Sequence, residues 1–582
     1  MYEPRMFVLV SALLAAAPLT TVAEQSGWIQ TGRYDEVERL CAAFPRRYPG
    51  KVKCERFGVT PEGRAMWMLI ASADGVFTPE QVRARRRPVV MLQGGIHAGE
   101  IDGKDAGFWL LREVLDGKVA RQSLSAVTLV FVPVFNVDGH ERFGPNHRPN
   151  QRGPEQMGWR VTSQNLNLNR DYVKADAPEM VAMLGLMHRF EPVLFVDLHV
   201  TDGAKFQHDV SVTFEPQRLG PPALQAFGRT LRHALFPRLE AQGHLPVGFY
   251  PSFDDADDPQ SGFTAGWPPP RFGNAYWALQ HRFGVLVETH SWKPYAQRVK
   301  ATFDVCAGLL EEATAHAADW LAAAQQADLD ATRLAGTDVV LMSEATKKGE
   351  PIDFQGYAFT RTRSEVSGKQ WVQYDETTPQ VWKIPLRDEL EPALIIRAPL
   401  AGYLIPAAQA AVVGSRLQAH ALRFEVLKKA KLQLAVEHMV IDAKLRPTSY
   451  EGRTTVEVSG RWTKATEDLQ PGSLFVPIAQ PHAELVMQLL EPTAPDSLVA
   501  WGFFNAHLEQ KEYLEDYLTE PFAREQLKIL TVKAAFDERL KDPNFAKDPE
   551  ARLRFFERRH PSFDPRQNLV PIYRVDLTPF GS

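Results

Sequence analysis

Cysteine is scarce in this chain, with three in 582 residues. That is too few for a disulfide scaffold. A surplus of charge of one sign is missing as well. Lys plus Arg number 66 against 71 Asp plus Glu, a formal net charge of −5, which argues against a protein that grips nucleic acid through a broad basic surface. Beyond the extreme N-terminus no apolar run reaches the roughly 20 residues that span a bilayer, so no membrane span is expected in the mature chain. No repeat of fixed period is found. There is no Gly-x-Ser-x-Gly elbow, and Gly103-Lys104 is followed by Asp105 and lacks the upstream Gly of a phosphate loop. Serine-hydrolase and nucleotidase chemistries are therefore disfavoured.

What is present is ordinary globular composition: 44% apolar, 24% charged and 10% aromatic. This excludes extended disorder, a collagen-like repeat and a coiled-coil rod. Residues 6–17 form an apolar run preceded by Arg5 and followed by the small residues Thr21, Val22 and Ala23. We read residues 1–23 as a signal peptide, removed when the chain is exported to the periplasm or secreted; a membrane anchor is the alternative. Export would place the thiols in an oxidising compartment. Cys41 and Cys54 are close enough in sequence to pair, which would leave Cys306 alone. Three buried free thiols acting as small hydrophobes are an equal alternative.

Apolar Val37, Leu40, Cys41 and Phe44 recur at helical spacing. Residues 52–57, a turn at 60–63 and residues 65–71 read as strand, turn, strand. Short apolar runs at 88–92, 127–135, 193–200 and 284–287 read as strands buried on both faces. Helical patterns at 102–115, 177–190 and 301–325 lie between or after them. The alternation predicts a three-layer α/β/α sandwich on a mixed, largely parallel sheet over residues 24–325. A β-rich accessory domain is expected over 326–480, where β-branched and aromatic runs are broken by Gly and Pro. Residues 481–582 read as a mixed helical and irregular region.

Four motifs sit near the C-terminal edges of the predicted strands, where open α/β sheets bind ligands. In Gly94-Gly-Ile-His97-Ala-Gly-Glu100 a His and a Glu three apart in a glycine-loosened turn can face one metal ion. His188 and Glu191 share that spacing on a predicted helix end and are assigned to packing or surface. Phe195-Val-Asp-Leu-His199 delivers a second imidazole from a buried strand. His, Glu and His leave a fourth position open, the arrangement of catalytic zinc sites such as that of carboxypeptidase A. Asp197 alternates onto the face of His199, where it could orient it. Glu288, at the end of an apolar strand, is costly there unless paired or working. It suits a general base beside an activated water, with a buried ion pair as the structural alternative and His290 as a weaker candidate. Asn169-Arg170, in a polar loop that includes Arg160, suits a terminal carboxylate.

Taken together and in this order, these motifs resemble the zinc metallocarboxypeptidase family of carboxypeptidase A-like peptidases. The likeness begins at Tyr34-Asp-Glu-Val-Glu and the Glu62-Gly-Arg turn. It continues through His97-Ala-Gly-Glu100, Asn136-Val-Asp-Gly, Asn169-Arg170, His199 and Glu288, over about residues 32–322. The resemblance implies one zinc ion on His97, Glu100 and His199, and a peptide substrate whose carboxylate is held by Asn169 and Arg170. It also implies Arg160 at the oxyanion and Glu288 as base. Gly99 replaces the family's Arg inside the metal motif, Asn167 replaces the Asp that supports the first His, and Val200-Thr201 replaces Ser-Tyr. Tyr250 and Tyr276 are candidates for the substrate-capping Tyr. These departures imply a divergent bacterial-type exported member with its substrate preference open, and the resemblance implies removal of C-terminal residues from peptides. Alternatives on the same scaffold are a γ-glutamyl or murein-peptide amidase, a small-molecule deacylase, or a non-catalytic peptide- or glycan-binding protein. The acidic stretch 254–258 favours basic substrates if it reaches the pocket, and Arg271 favours acidic ones; a solvated loop is the simpler reading of the former.

Overall fold

The longest apolar runs lie side by side at the centre of the molecule. In the computed structural model, which describes residues 19–580, they form an eight-stranded sheet. The first nine strands are β1 (Val52–Val59), β2 (Ala65–Ala71), β3 (Val89–Gly94), β4 (Thr128–Val132), β5 (Leu194–Thr201), β6 (Val210–Glu215), β7 (Pro246–Val247), β8 (Phe263–Thr264) and β9 (Phe283–His290). All but β8 join this sheet, in the order β1-β2-β4-β3-β5-β9-β6-β7. Strands β4, β3, β5 and β9 are parallel, while β1, β2 and β6 add antiparallel pairs. Every residue of β3, β4 and β5 is buried, as expected where helices cover both faces. The covering helices include Tyr34–Arg47, Asp102–Leu115, Pro178–Phe190, Pro222–Ala241 and Tyr295–Ala331. The last of these, 37 residues long, outruns its predicted span at both ends. The expected strand at 127–135 stops at Val132, and the chain passes Pro133 into the Asn136-capped helix Val137–Glu141.

The remaining strands are β10 (Asp338–Ala345), β11 (Glu350–Arg363), β12 (Gln370–Arg387), β13 (Leu390–Arg397), β14 (Gly402–Ile405), β15 (Glu425–Val426), β16 (Lys431–Leu445), β17 (Val456–Leu469), β18 (Leu474–Pro477) and β19 (Tyr573–Val575). The long hairpin β11–β12 picks up β8 through Leu386 and Arg387. A six-stranded sheet runs β15-β18-β14-β19-β16-β17. Strand β19, from the end of the chain, pairs with both β14 and β16. One continuous core holds Leu92, Val196 and Val285 together with Tyr403, Leu485 and Ile572. A three-residue strand and the ten-residue helix Ala410–Ala419 carry too short a pattern to be read from sequence alone.

A disulfide joins Cys41 in the first long helix to Cys54 in β1, and Cys306 is free and buried. The apolar run 6–17 lies outside the described residues. Thr21, Val22 and Ala23, expected at a cleavage point, are built into the fold: Thr21 caps the short helix Val22–Gln25, the Val22 N–H donates to Glu36, and Ala23 is buried. Removal of residues 1–23 would delete these contacts. No described helix is long and apolar enough to cross a membrane.

Two buried histidines tie elements together. His244 bridges Asp209 and Asp304 at 2.7 and 2.8 Å, and His281 bridges Asp328 and Glu484 at 2.9 and 3.4 Å. Burial opposes the charged ring in each case, but hydrogen bonds to the paired carboxylates outweigh it and raise both from 6.5 to about 9. A folded-state pKa raised above the unfolded value stabilises below about 6.5, and that contribution is lost as pH rises through about 9. Thermal unfolding should therefore show Tm falling across this window, and a His244→Gln/His281→Gln variant should lose part of that slope. Equal slopes in both proteins would show that these pairs do not carry it.

Candidate active site

The parallel register decides which side chains meet. His199 and Glu288 are direct partners on β5 and β9, so their side chains leave the same face about one strand spacing apart. The chain runs from β3 through Gly94 and Gly95, and the next residues present His97 and Glu100. Gly95 has φ +62°, a turn conformation that favours glycine. His97 Nδ1 lies 2.9 Å from Glu100 Oε1 and His199 Nδ1 lies 3.0 Å from Glu100 Oε2. The three donors lie within 4.8 Å of one another and all three residues are buried. Two imidazoles and a carboxylate converging at this distance fit a zinc ion with an open fourth position.

The supporting contacts are equally specific. Asn167 Oδ1 sits 3.1 Å from His97 Nε2 and also accepts from the Asn169 N–H, so the amide occupies the place of the family's Asp. It orients the ring without adding negative charge. Asp197 Oδ2 lies 3.1 Å from His199 Nε2, and its other oxygen accepts from Gln93. Glu100 also accepts from the Val200 N–H at 3.0 Å and from Arg148 Nη2 at 2.8 Å. Burial opposes the Glu100 charge, yet His97 and Arg148 hold its pKa well below the ordinary carboxylate value. Burial pulls His97 down to about 4, whereas Asp197 and Glu100 overcome the same burial and raise His199.

Arg148 was not singled out from the sequence, because it stands in a loop without a motif. Its side chain explains Gly99: a Cβ there would lie 2.5 Å from Arg148 Cγ and 2.7 Å from the Gly158 carbonyl oxygen. An arginine within the metal motif has no room, and one from a distant loop reaches Glu100 instead.

Of the other expected site residues, Arg160, Asn169, Arg170, Tyr250 and Glu288 line one cavity of about 790 Å³ with the three donors. Arg160 Nη1 lies 3.4 Å from Glu100 Oε1. Arg170 donates from Nε to the Tyr450 hydroxyl at 3.1 Å and stacks over Phe272. Burial pushes the Glu288 carboxyl up to about 8, with Glu100 and Asp197 adding to it and His199 opposing. Tyr276 is a correction. It is wholly buried, its hydroxyl lies 2.8 Å from His420 Nδ1, and it does not line the cavity. His188 packs against it at 3.2 Å. His290 stacks on Phe206 and is likewise away from the cavity lining. The acidic stretch does not reach the cavity, since Asp254 pairs with Arg387 and Asp258 with Arg361 on the long hairpin. Arg271 pairs with Asp496.

The C-terminal half builds part of this site, which no sequence signal announced. Leu386 and Asp388, at the end of the hairpin, line the cavity. Aromatic packing of Phe354 and Trp382 with Phe206, Phe249 and Phe263 seats the hairpin. The loop around Tyr450 braces the segment that carries Asn169 and Arg170: Glu451 accepts from the Asn167 N–H at 3.2 Å, and Arg453 grips Asp176 through two contacts of 2.7 Å. Elemental analysis of the purified protein should find one zinc per chain, lost in Glu100→Gln. Asn167→Ala should weaken zinc binding by roughly 10–100-fold, the usual cost of removing such a support, as read by chelator competition.

Comparison with known proteins agrees with this geometry. The sequence profile of the family described as "Zinc carboxypeptidase" matches residues 37–213. That span contains His97, Glu100, Asn169, Arg170 and His199 and ends before Glu288. A search of curated proteins gave no match. Among solved structures, a metallo-carboxypeptidase from Burkholderia cenocepacia is 16% identical, with 47% of this chain and 68% of that one covered and a TM-score of 0.34. Carboxypeptidase A from Helicoverpa armigera is 16% identical, with 50% and 74% covered and a TM-score of 0.36. A metallo-carboxypeptidase from Pseudomonas aeruginosa, solved with (2-guanidinoethylmercapto)succinic acid, is 17% identical, with 49% and 69% covered and a TM-score of 0.35. Residues 37–213, the segment that holds His97, Glu100 and His199, match the zinc carboxypeptidase family, and this domain marks the chain as a zinc carboxypeptidase-type hydrolase.

Proposed function

We propose that this chain is an exported exopeptidase that removes C-terminal residues from peptides. The observation that carries the reading is the pairing of Glu288 with His199 across β5 and β9, facing the same cavity as Asn169 and Arg170. A base, a metal-ligand triad and a carboxylate receptor share one cavity in this reading. The hairpin end at Leu386 and Asp388 walls that space, which favours a chain terminus over an internal loop of substrate.

Zinc held by His97, Glu100 and His199 would polarise the scissile carbonyl and acidify water. Asn169 and Arg170 hold the substrate's terminal carboxylate through a neutral and a charged donor, fixing the scissile bond relative to Glu288. Glu288 takes the proton of the attacking water and returns it to the leaving amine. A carboxyl raised by burial toward neutrality is suited to both transfers. Arg160 donates to the negative charge that develops on the carbonyl oxygen, and Tyr250, which lines the same cavity, caps bound substrate. Export is supported by the Cys41–Cys54 disulfide, a bond that persists in oxidising compartments.

Glu288→Gln should retain zinc while hydrolysis of blocked dipeptides falls by roughly 10²–10⁴-fold, the usual contribution of a positioned proton-transfer group. Elemental analysis and release of the free amino acid measure the two effects. Near wild-type turnover in this variant would reject the assignment.

A further inference from the structure

The cavity has a second polar end, formed by residues outside the zinc ligands and the carboxylate receptor. Helix Pro222–Ala241 places Arg229, Arg232 and His233 at positions i, i+3 and i+4, on one face. All three line the cavity, as does Arg218. Arg232 has neither a carboxylate nor a carbonyl partner among the described residues; its organised contact is the Phe236 ring, 5.3 Å from the guanidinium. Space for it is made by Gly248, where a Cβ would lie 2.6 Å from the guanidinium carbon. Gly248 has no left-handed backbone, so glycine serves close approach there rather than a turn.

Arg218 donates to the carbonyls of Ala265, Gly266 and Asp388 at 2.7, 3.2 and 3.2 Å, and its buried Nε has no partner. Arg229 donates to the Gln217 carbonyl at 2.9 Å. Carbonyl oxygens fix these side chains without cancelling their charge. Glu215 lies 3.9 Å from Arg218, but burial pushes its carboxyl up to about 7 against the pull of Arg218, so its negative charge is incomplete at neutral pH. Burial and the nearby Arg218 both oppose the Arg232 charge, and Asp388 supports it. Such an arrangement is costly until an anion enters.

Resting on the hydrolase reading above, we propose that Arg232, with Arg218 and Arg229, forms an anion-binding subsite that selects substrates whose released C-terminal residue carries a side-chain carboxylate. Asn169 and Arg170 take the main-chain carboxylate, and the second carboxylate meets the Arg232 fork in the bidentate geometry that guanidinium favours. A glutamine of the same shape offers no charge and leaves the guanidinium unpaired.

The test uses the zinc-loaded full chain and N-blocked dipeptides ending in Glu, Gln or Lys. The expected result is a kcat/KM for Glu at least about tenfold above Gln, carried chiefly by KM, as for a site built around one charged contact. Arg232→Ala and Gly248→Ala should collapse the Glu-to-Gln ratio, and Arg232→Glu should turn preference toward Lys. A wild-type ratio near one, or a ratio that survives Arg232→Ala, overturns the subsite. Calorimetry with N-acetylglutamate and N-acetylglutamine separates this result from the parent reading. Tighter glutamate binding that depends on Arg232 supports the subsite even where no dipeptide is cleaved, an outcome that would sink the peptidase reading alone. Equal binding of the two overturns the subsite.

Discussion

The buried carboxylate of Glu100 is the constraint on which the rest depends. A charge placed away from water is tolerated only when its lone pairs are occupied, and here His97, His199, the Val200 N–H and Arg148 occupy them. Those partners come from the turn after β3, from β5 and from a loop some fifty residues downstream of Glu100. The carboxylate therefore fixes the spacing of three segments at once. It also accounts for one sequence departure: Gly99 carries no side chain because Arg148, which pairs with Glu100, fills that volume.

The position of Glu288 depends on the same region through a second buried charge. Asp102, two residues beyond Glu100, accepts from Thr289 at 2.7 Å and from Arg298 Nε at 3.0 Å. Arg298 is fully buried and also donates to the carbonyls of Arg152, Gly153 and Lys293. The helix that follows His97 and Glu100 is thereby tied to the strand that carries Glu288 and to the long helix behind it. A small shift of one would move the other, which is how sub-ångström geometry can be held between residues 188 positions apart.

Much of the first half was legible because its signals are local. Strands buried on both faces read as unbroken apolar runs, and metal ligands at strand ends stand out against them. His97, Glu100, His199 and Glu288 each stand on a weak local signal, and only their order along the chain, with the family resemblance, joined them into one expected site. Arg148, Tyr450, Arg218 and Arg232 were not legible, since each acts through a contact with a residue far away in sequence. Tyr276 shows the converse error: an aromatic residue near a catalytic motif is more often core, and this one pairs with His420. The second half misled for a related reason. Its β-rich composition was real, but composition does not say whose core a strand completes, and β19 completes a sheet begun 170 residues earlier.

That interleaving bears on specificity. Arg218 is held by carbonyls from two places, Ala265 and Gly266 in the first half and Asp388 beside the hairpin. The hairpin in turn is seated by aromatic packing around Phe263 and by Arg387 on Asp254. Two carboxylates of the acidic stretch, Asp254 and Asp258, fasten the hairpin, and none of the stretch lines the cavity, while Arg229 and Arg232 do. Residues of the second half, Leu386 and Asp388, line the same cavity as His97 and Glu288, so the shape of that cavity is set by contacts across both halves of the chain.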